Sequence, residues 1–508
     1  TAGMNIFGYM DSNNPNAENA TNGGDVIFGS GALNTVPGMT LYDPETGLYG
    51  GVQNPEEENV SNFNPYRRMW FYKEDFPIKT RRIVPKLFAR LSPVKGLTLS
   101  ASFTYNSWER NEEYQLCDKN LYRFTLDGPV LLREGTVRTY INRYNRRNTF
   151  RTSDVTARYE WNVSKLNASA LVGISQEYNK REDERFRNYD LADDALTSIN
   201  GGSTNGEIEG NYTEWAMRSY FGRINLSWDD KYLLEVNLRA DGSSRFGKNN
   251  RWGYFPSASL AWRISGEDFF MKAKSLSFVD DLKLRASYGV TGNFQIGNYD
   301  HLSLMALDNY VLGTGNGQLV NGYKPSTIKN EDLSWEKNAM VNVGVDLQMF
   351  KGLLGLTVDY YNTNTSNMLL NVPVPHLTGY STALMNIGKV NNRGWEVALT
   401  SQKNITKDFG YSFNANYATN TNEVKALGPG NAPIISTGSV DHAYYITKVG
   451  EPIGCYYLLV QDGIFSNEEE LKKYPHFSNT KPGDFRFVDV DGDGVMDLDK
   501  DRTIVGNY

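Results

Sequence analysis

Residues 219–263 carry the pattern that most narrows what this chain can become. On the first arm Tyr220, Ile224, Leu226 and Trp228 fall on one parity, and Ser219, Arg223, Asn225 and Ser227 on the other. After Asp229-Asp230 the chain returns with Tyr232, Leu234, Val236, Leu238 and Ala240 alternating with Glu235, Asn237, Arg239 and Asp241. Successive side chains of a strand point to opposite faces, so the two arms predict a hairpin with one apolar and one polar face. A glycine-rich excursion over residues 242–253 leads to a third strand, 254–264, with the same alternation. Soluble antiparallel sheets alternate too. The order of short turn, long loop and short turn is the rhythm of a membrane β-barrel.

The rhythm recurs along the chain. Residues 83–91 and 97–105 flank the tight turn Ser92-Pro-Val-Lys-Gly96, 150–161 and 166–175 flank Asn162-Val-Ser-Lys165, and 282–290 stands between links. Further pairs are 335–349 with 355–361 and 392–401 with 410–420. Pro85 cannot donate to a ladder and is expected to mark a strand start. About twelve strands result, each near the nine to eleven residues that a tilted crossing needs. The polar stretches after Tyr105, over 176–215 and over 294–332 are expected as long loops, with a helical turn near Glu267. The expected organisation is a loop region with a strand end over 1–80, transmembrane strands with long external loops over 81–420, and an external loop region with short strands over 421–508.

Composition agrees with a barrel. Aromatic residues reach 13 %, with 32 Tyr, 24 Phe and 9 Trp, yet mean hydropathy is −0.52. A wall that is apolar on alternate residues and belted with Tyr and Trp reconciles the two. No apolar run approaches the roughly 20 residues of a spanning helix. The net charge of −7 and pI near 5.4 argue against a nucleic-acid partner. Cys117 and Cys455, the only cysteines, give neither a disulfide scaffold nor metal-ligand spacing. The first residues lack the basic head and apolar core of a secretory signal. With no initiator Met and an end in mid-pattern, the chain reads as an internal piece of a longer polypeptide. An unclosed sheet cannot satisfy its edges in lipid, so further strands are expected elsewhere in the polypeptide or assembly.

The acidic run Asp489-Val-Asp-Gly-Asp-Gly-Val-Met-Asp497 places oxygen donors at the first, third, fifth and ninth positions of a calcium loop, with glycine at the sixth. Val495 would offer its carbonyl, and closure would fall to Asp501, because Lys500 occupies the twelfth position. Bound Ca2+ and a solvated acidic turn are both open, and no organic cofactor is expected. On the polar parity, Arg223, Glu235, Arg239, Arg263 and Arg285 would line a solute path or pair with one another to satisfy a polar interior. Tyr299, Tyr310, Tyr444 and Tyr445 lie in aromatic loop segments that would stack on cargo or pack the loops together. His301, His376, His442 and His476 are scattered, and neither an HExxH nor a GxSxG pattern occurs, so an enzyme is not expected. A secreted multi-domain β adhesin or glycan-binding protein is the alternative; it would bury the apolar parity between sheets.

Several segments resemble the SusC/RagA-type TonB-dependent outer-membrane transporters of Bacteroidetes. They are the run from Tyr232 to Gly247, Phe255-Pro-Ser-Ala-Ser-Leu-Ala-Trp-Arg263, the run from Leu282 to Asn293, Leu333-Ser-Trp-Glu336, Val372-Pro-Val-Pro375, Asn386-Ile-Gly388 with Asn392-Arg-Gly-Trp-Glu396, and Asp489-Val-Asp-Gly-Asp-Gly494. The resemblance implies an all-β transmembrane antiparallel barrel of about 22 strands in a Gram-negative outer membrane, with the plug and the C-terminal strands outside this chain. It implies TonB-dependent import of oligosaccharides or peptides, a SusD-like surface lipoprotein as lid, and TonB contact through the plug. A dimer of transporter and lipoprotein pairs is compatible with it.

Overall fold

Strong alternation becomes long antiparallel strands. The computed structural model describes residues 1–13, 40, 42–50, 78–116, 121–125, 127–133, 139–192, 196–313, 317–374, 377, 379–380, 382–437 and 444–507. They divide into two units, Thr1–Leu91 with Leu99–Val155 and Ser175–Met217, and Ser92–Thr98 with Thr156–Ile174 and Arg218–Tyr508.

In the first unit the strand order is β1 (Ala2–Asn13), β2 (Ile78–Leu91), β3 (Leu97–Leu116), then parts of β4 (Tyr140–Val163), β5 (Leu166–Leu191) and β6 (Gly202–Trp228). The strand end expected near the start is a full strand, β1, paired with β2 from Ala2 opposite Ala89 to Asn13 opposite Ile78. Pro85 lies inside β2 and not at its start. It faces Ile6 of β1, and on the other side the paired residues skip from Ile83 opposite Ser107 to Lys86 opposite Thr104. A residue without an N–H is thus accommodated where the ladder lapses.

In the second unit the remaining lengths of β4 to β6 are followed by β7 (Tyr232–Ser243), β8 (Trp252–Arg263), β9 (Val279–Asn293), β10 (Glu336–Met349), β11 (Leu354–Pro373), β12 (Thr382–Asn404) and β13 (Gly410–Ala418). β14 (Thr421–Leu427) pairs with β12 beyond the end of β13. The helical turn expected near Glu267 is α1 (Asp268–Lys272). A separate four-stranded sheet follows, in the order β15 (Ile434–Thr437), β16 (Tyr444–Thr447), β17 (Cys455–Leu459) and β18 (Arg502–Gly506).

The apolar parity is exposed. Leu238, Tyr254 and Leu260 are 55, 61 and 60 % accessible, with Ile224, Val236, Tyr288 and Phe413 also open. No second protein layer covers these rows among the described residues, as a sandwich core would require. Aromatics mark two levels on them. Trp228, Tyr232 and Trp262 lie beside the short turns, and Tyr232 stacks across the ladder on Trp262 with centroids 6.5 Å apart. Tyr220 stacks on Trp252 at the other end of the same strands. Tyr254 and Trp262 share β8, and the eight residue-to-residue steps from one to the other span about 26 Å of strand, or about 20 Å at a tilt near 40°. That is close to the roughly 25 Å height of an apolar membrane band with its aromatic girdles.

Two stretches expected as loops are strand. β5 runs on to Leu191 and β6 starts at Gly202, so most of 176–215 continues the ladder, and β3 extends to Leu116. Lipid demands an apolar face only within its thickness. Beyond it both faces turn polar, and the alternation that signals a strand disappears while the backbone pairing continues. The long link 294–332 also contains two small hairpins, Met305–Leu307 with Tyr323–Pro325 and Tyr310–Leu312 with Gln318–Val320.

Candidate functional site

Opposite the apolar rows, β6 to β11 present charges that meet one another across the ladder. Arg223 donates to Asn237 Oδ1 at 2.6 Å, and Asn237 Nδ2 donates to Glu235 at 2.8 Å, so an amide joins the two predicted charges. Arg239 grips both oxygens of Asp241 at 2.8 Å and reaches Ser219 at 3.0 Å. Arg263 pairs with Asp281 at 2.8 Å. Arg285 lies between Asp359 at 2.6 Å and Asp346 at 3.3 Å, with Lys283 also on Asp346 at 2.8 Å. Sequence reading singled out the arginines and missed Asp281, Asp346 and Asp359. Their signal was available, since each falls on the polar parity of its own strand.

A second arrangement was not foreseen. Trp335 is nearly buried, with Phe246, Phe255 and Phe294 around it at centroid distances of 5.2, 5.3 and 5.4 Å. Its indole N–H donates to the Arg251 carbonyl at 2.8 Å. A Cβ on Gly292 would overlap the Phe255 ring, so the strand passes there only as glycine. Beside this knot the Asn386 side chain accepts from Ser334 N and donates to Ser334 O, both at 2.8 Å, and donates to Asn367 O at 2.9 Å. Segments that carried the resemblance, around Phe246, Gly292, Trp335 and Asn386, therefore converge in space.

Next to the knot lies a cavity of about 770 Å³ whose lining includes Arg245, Asp300, Thr327, Asn371 and Tyr380. Arg245 donates to Asn298 Oδ1 at 3.0 Å and to the Phe294 carbonyl at 3.2 Å, and its guanidinium lies 5.0 Å from the Phe294 ring. Asp300 accepts from Gly297 N at 2.7 Å. A positive and a negative group thus share one rim.

The predicted loop tyrosines separate. Tyr310 is exposed on its small hairpin, and Tyr299 lies close by in sequence but not in the cavity lining. The Tyr444 ring packs under the Arg502 guanidinium at 3.4 Å, and Tyr445 packs on Tyr456 at 5.3 Å. His301 Nδ1 is 3.0 Å from the Arg245 carbonyl, and His476 Nδ1 3.1 Å from the Tyr474 carbonyl. His376, His442 and Cys117 lie outside the described residues. Cys455 is buried against the Pro452 carbonyl, and burial pushes its thiol pKa up, away from reactivity.

In the acidic loop, carboxylate oxygens of Asp489, Asp491 and Asp493 come within 4.8 Å of one another. Gly492 and Gly494 take positive φ values of 73° and 82°, and their N–H groups donate to Asp489. The Asp493 carboxyl is held below its ordinary pKa, first by the Val495 N–H and then by Lys500, whose ammonium is 3.3 Å away. Asp497 and Asp501 stand outside the trio. Asp501 is fully buried and accepts from Val490 N at 2.9 Å and Asp497 N at 2.6 Å, which braces the two ends of the loop. Asp497 accepts from Asp499 N and Lys500 N.

Exposed apolar rows on one face and paired charges on the other are the wall of a membrane β-barrel. Residues 9–444 match the family described as TonB dependent receptor-like, beta-barrel, and the chain belongs to that family. TonB-dependent receptor P3 of Formosa agariphila is 29 % identical over 99 % of this chain and 49 % of its own length. TonB-dependent receptor SusC of Bacteroides thetaiotaomicron is 32 % identical over 56 % of this chain and 28 % of its own. Among solved structures, that of the RagAB peptide transporter is similar with a TM-score of 0.69 and 27 % identity, covering 80 % of this chain and 42 % of that one. The chain spans about half the length, or less, of these relatives.

Proposed function

We propose that this chain supplies part of the wall and the outer loops of an outer-membrane importer. The importer is driven by the inner-membrane TonB machinery, takes up peptides or oligosaccharides, and works with a SusD-like surface lipoprotein. The observation that carries the reading is the residue-by-residue alternation, on β6 to β11, of exposed apolar side chains with hydrogen-bonded or ion-paired polar ones. A soluble adhesin would have to cover the exposed rows. Likeness to the RagAB peptide transporter supports a peptide cargo. The lidding partner is supported by the small hairpins of the 294–332 link, where Met305, Leu307, Tyr310, Val311 and Leu319 are all open to solvent. The cavity near Arg245 has the size of a small-ligand site and would hold part of the cargo.

Spin labels placed one by one from Glu235 to Arg239 in the full-length protein in liposomes test the reading. Labels at Val236 and Leu238 are expected to meet oxygen in the lipid, and those at 235, 237 and 239 a water-soluble nickel complex. Uniform accessibility would sink the importer reading. Mass spectrometry of small molecules released from the purified transporter and its lipoprotein then identifies the cargo class.

For the acidic loop we propose a Ca2+ site that braces an external segment, with Asp489, Asp491 and Asp493 as oxygen donors. The clustered carboxylates and the left-handed glycines support it. Calcium takes six to eight oxygens, so backbone carbonyls and water would complete the shell. Terbium luminescence titrated with Ca2+, lost in Asp491→Ala, is the expected result. Emission that is unchanged in Asp491→Ala would remove the proposal.

A further inference from the structure

In the first unit one face of β2 to β4 carries Leu87, Leu99, Phe103 and Val155, all exposed. Asp154, one residue from Val155, points to the other face, where it accepts from Ser102 at 3.3 Å and Ser175 at 2.6 Å. Further along the same parity the apolar row ends and a polar patch begins. Tyr105, Glu109, Arg147, Arg151, Tyr178 and Lys180 surround a cavity of about 620 Å³ there. Glu109 lies ten positions beyond Leu99, a climb of about 25 Å at about 3.3 Å per residue and a tilt near 40°. The patch therefore straddles the rim of an apolar band roughly 25 Å tall, on the side away from the short turns.

Its charges are unequally committed. Arg147 is bonded to Glu109 at 3.0 Å, Lys180 to Glu182 at 2.7 Å, and the Tyr178 hydroxyl donates to Glu214 at 2.5 Å. Arg151 pairs with no carboxylate among the described residues. Its guanidinium sits between two rings, 5.7 Å from the Tyr105 centroid and 5.8 Å from that of Tyr178. Arg81 adds a further cation, directly opposite Glu109 in the ladder.

We infer that this patch holds the phosphorylated sugar headgroup of an outer-leaflet glycolipid, an inference that rests on the membrane reading above. A guanidinium matches phosphate with two parallel N–H donors and sheds its water more readily than an ammonium. The two tyrosines orient Arg151 and offer flat apolar faces to a sugar ring. Glu109 and Glu182 stay neutralised by their own cations. The acyl chains of the same molecule run down over Phe103, Val155 and Leu87, contacts that a free phosphate or a soluble sugar cannot make.

The test uses the full-length transporter in detergent and native mass spectrometry with bisphosphorylated lipid A, dephosphorylated lipid A and inorganic phosphate. Wild type is expected to retain bisphosphorylated lipid A, with affinity falling about tenfold in Arg151→Gln, the size of one lost charged hydrogen-bond pair. Dephosphorylated lipid A is expected to bind weakly and without regard to residue 151. Arg151→Lys keeps the charge and loses the fork, so it reads the same contact if the glutamine variant fails to fold. Equal lipid A retention by wild type and both variants overturns the inference, as does displacement of the lipid by equimolar inorganic phosphate. If the spin labels alternate and lipid A retention does not depend on Arg151, this inference alone falls. If the labels do not alternate, the membrane reading falls first.

Discussion

Replacing Trp335 with alanine tests whether the aromatic knot ties down an outer loop. The side chain is 3 % exposed against three phenylalanine rings, and removing a buried aromatic of this kind costs about 3–5 kcal/mol. The barrel ladder does not pass through the indole, so the loss should appear as local opening. About 4 kcal/mol corresponds to about a thousandfold in an opening equilibrium, since 1.4 kcal/mol is tenfold. The Ser334 amide, held by Asn386 Oδ1 at 2.8 Å, should therefore exchange its hydrogen about a thousandfold faster in Trp335→Ala. Trp335→Phe keeps the ring contacts and loses the bond to the Arg251 carbonyl, which is worth about 1 kcal/mol, or about fivefold. Hydrogen exchange by mass spectrometry on the reconstituted protein reads both, with the amides of Leu260 and Ala286 in the β8 and β9 ladder as reference. Less than a tenfold change at Ser334, or equal acceleration at Leu260 and Ala286, would refute a local knot.

Three more outcomes are expected. Arg285→Met leaves Asp359 and Asp346 side by side without their shared cation and should cost about 3 kcal/mol in urea-induced unfolding from liposomes, with partial recovery in the double variant carrying Asp359→Asn; full stability in the single variant would count against the pairing. The Glu267 carboxyl lies below its ordinary pKa because the Tyr232 hydroxyl and then the Trp262 indole donate to it, with Lys231 adding to the effect. A depressed carboxylate stabilises above its unfolded pKa and loses that contribution as pH falls through the folded value, so Glu267→Gln should flatten the acid limb of the stability profile, and identical acid limbs would contradict it. Asp501→Ala frees the Val490 and Asp497 amides and should make residues 489–501 cleavable by protease in the folded protein, whereas Asp501→Asn, which keeps an acceptor, should stay largely protected.

Within the bilayer thickness the strands were legible, because lipid imposes a strict two-residue period on β7 and β8 and turns such as Asp229-Asp230 close them. Outside that thickness the period fades, and for this reason residues 176–191 and 202–215 read as loop although they are ladder. The charges Arg239, Arg263 and Arg285 could be placed on the polar face from parity. The partners of Arg285 were harder, because Asp346 and Asp359 come from another hairpin, and register between hairpins is set by packing that the pattern does not encode. The knot was invisible for a different reason. Phe246 and Trp335 are far apart in the chain, and nothing local to either marks their meeting.

The paired extensions of β5 and β6 also constrain how this surface can diverge. Deleting one residue from a ladder reverses the facing of every side chain beyond the cut. The variation such arms tolerate is therefore exchange of side chains in place, or length changes in steps of two. Gain and loss of single residues belongs in the connections at their tips.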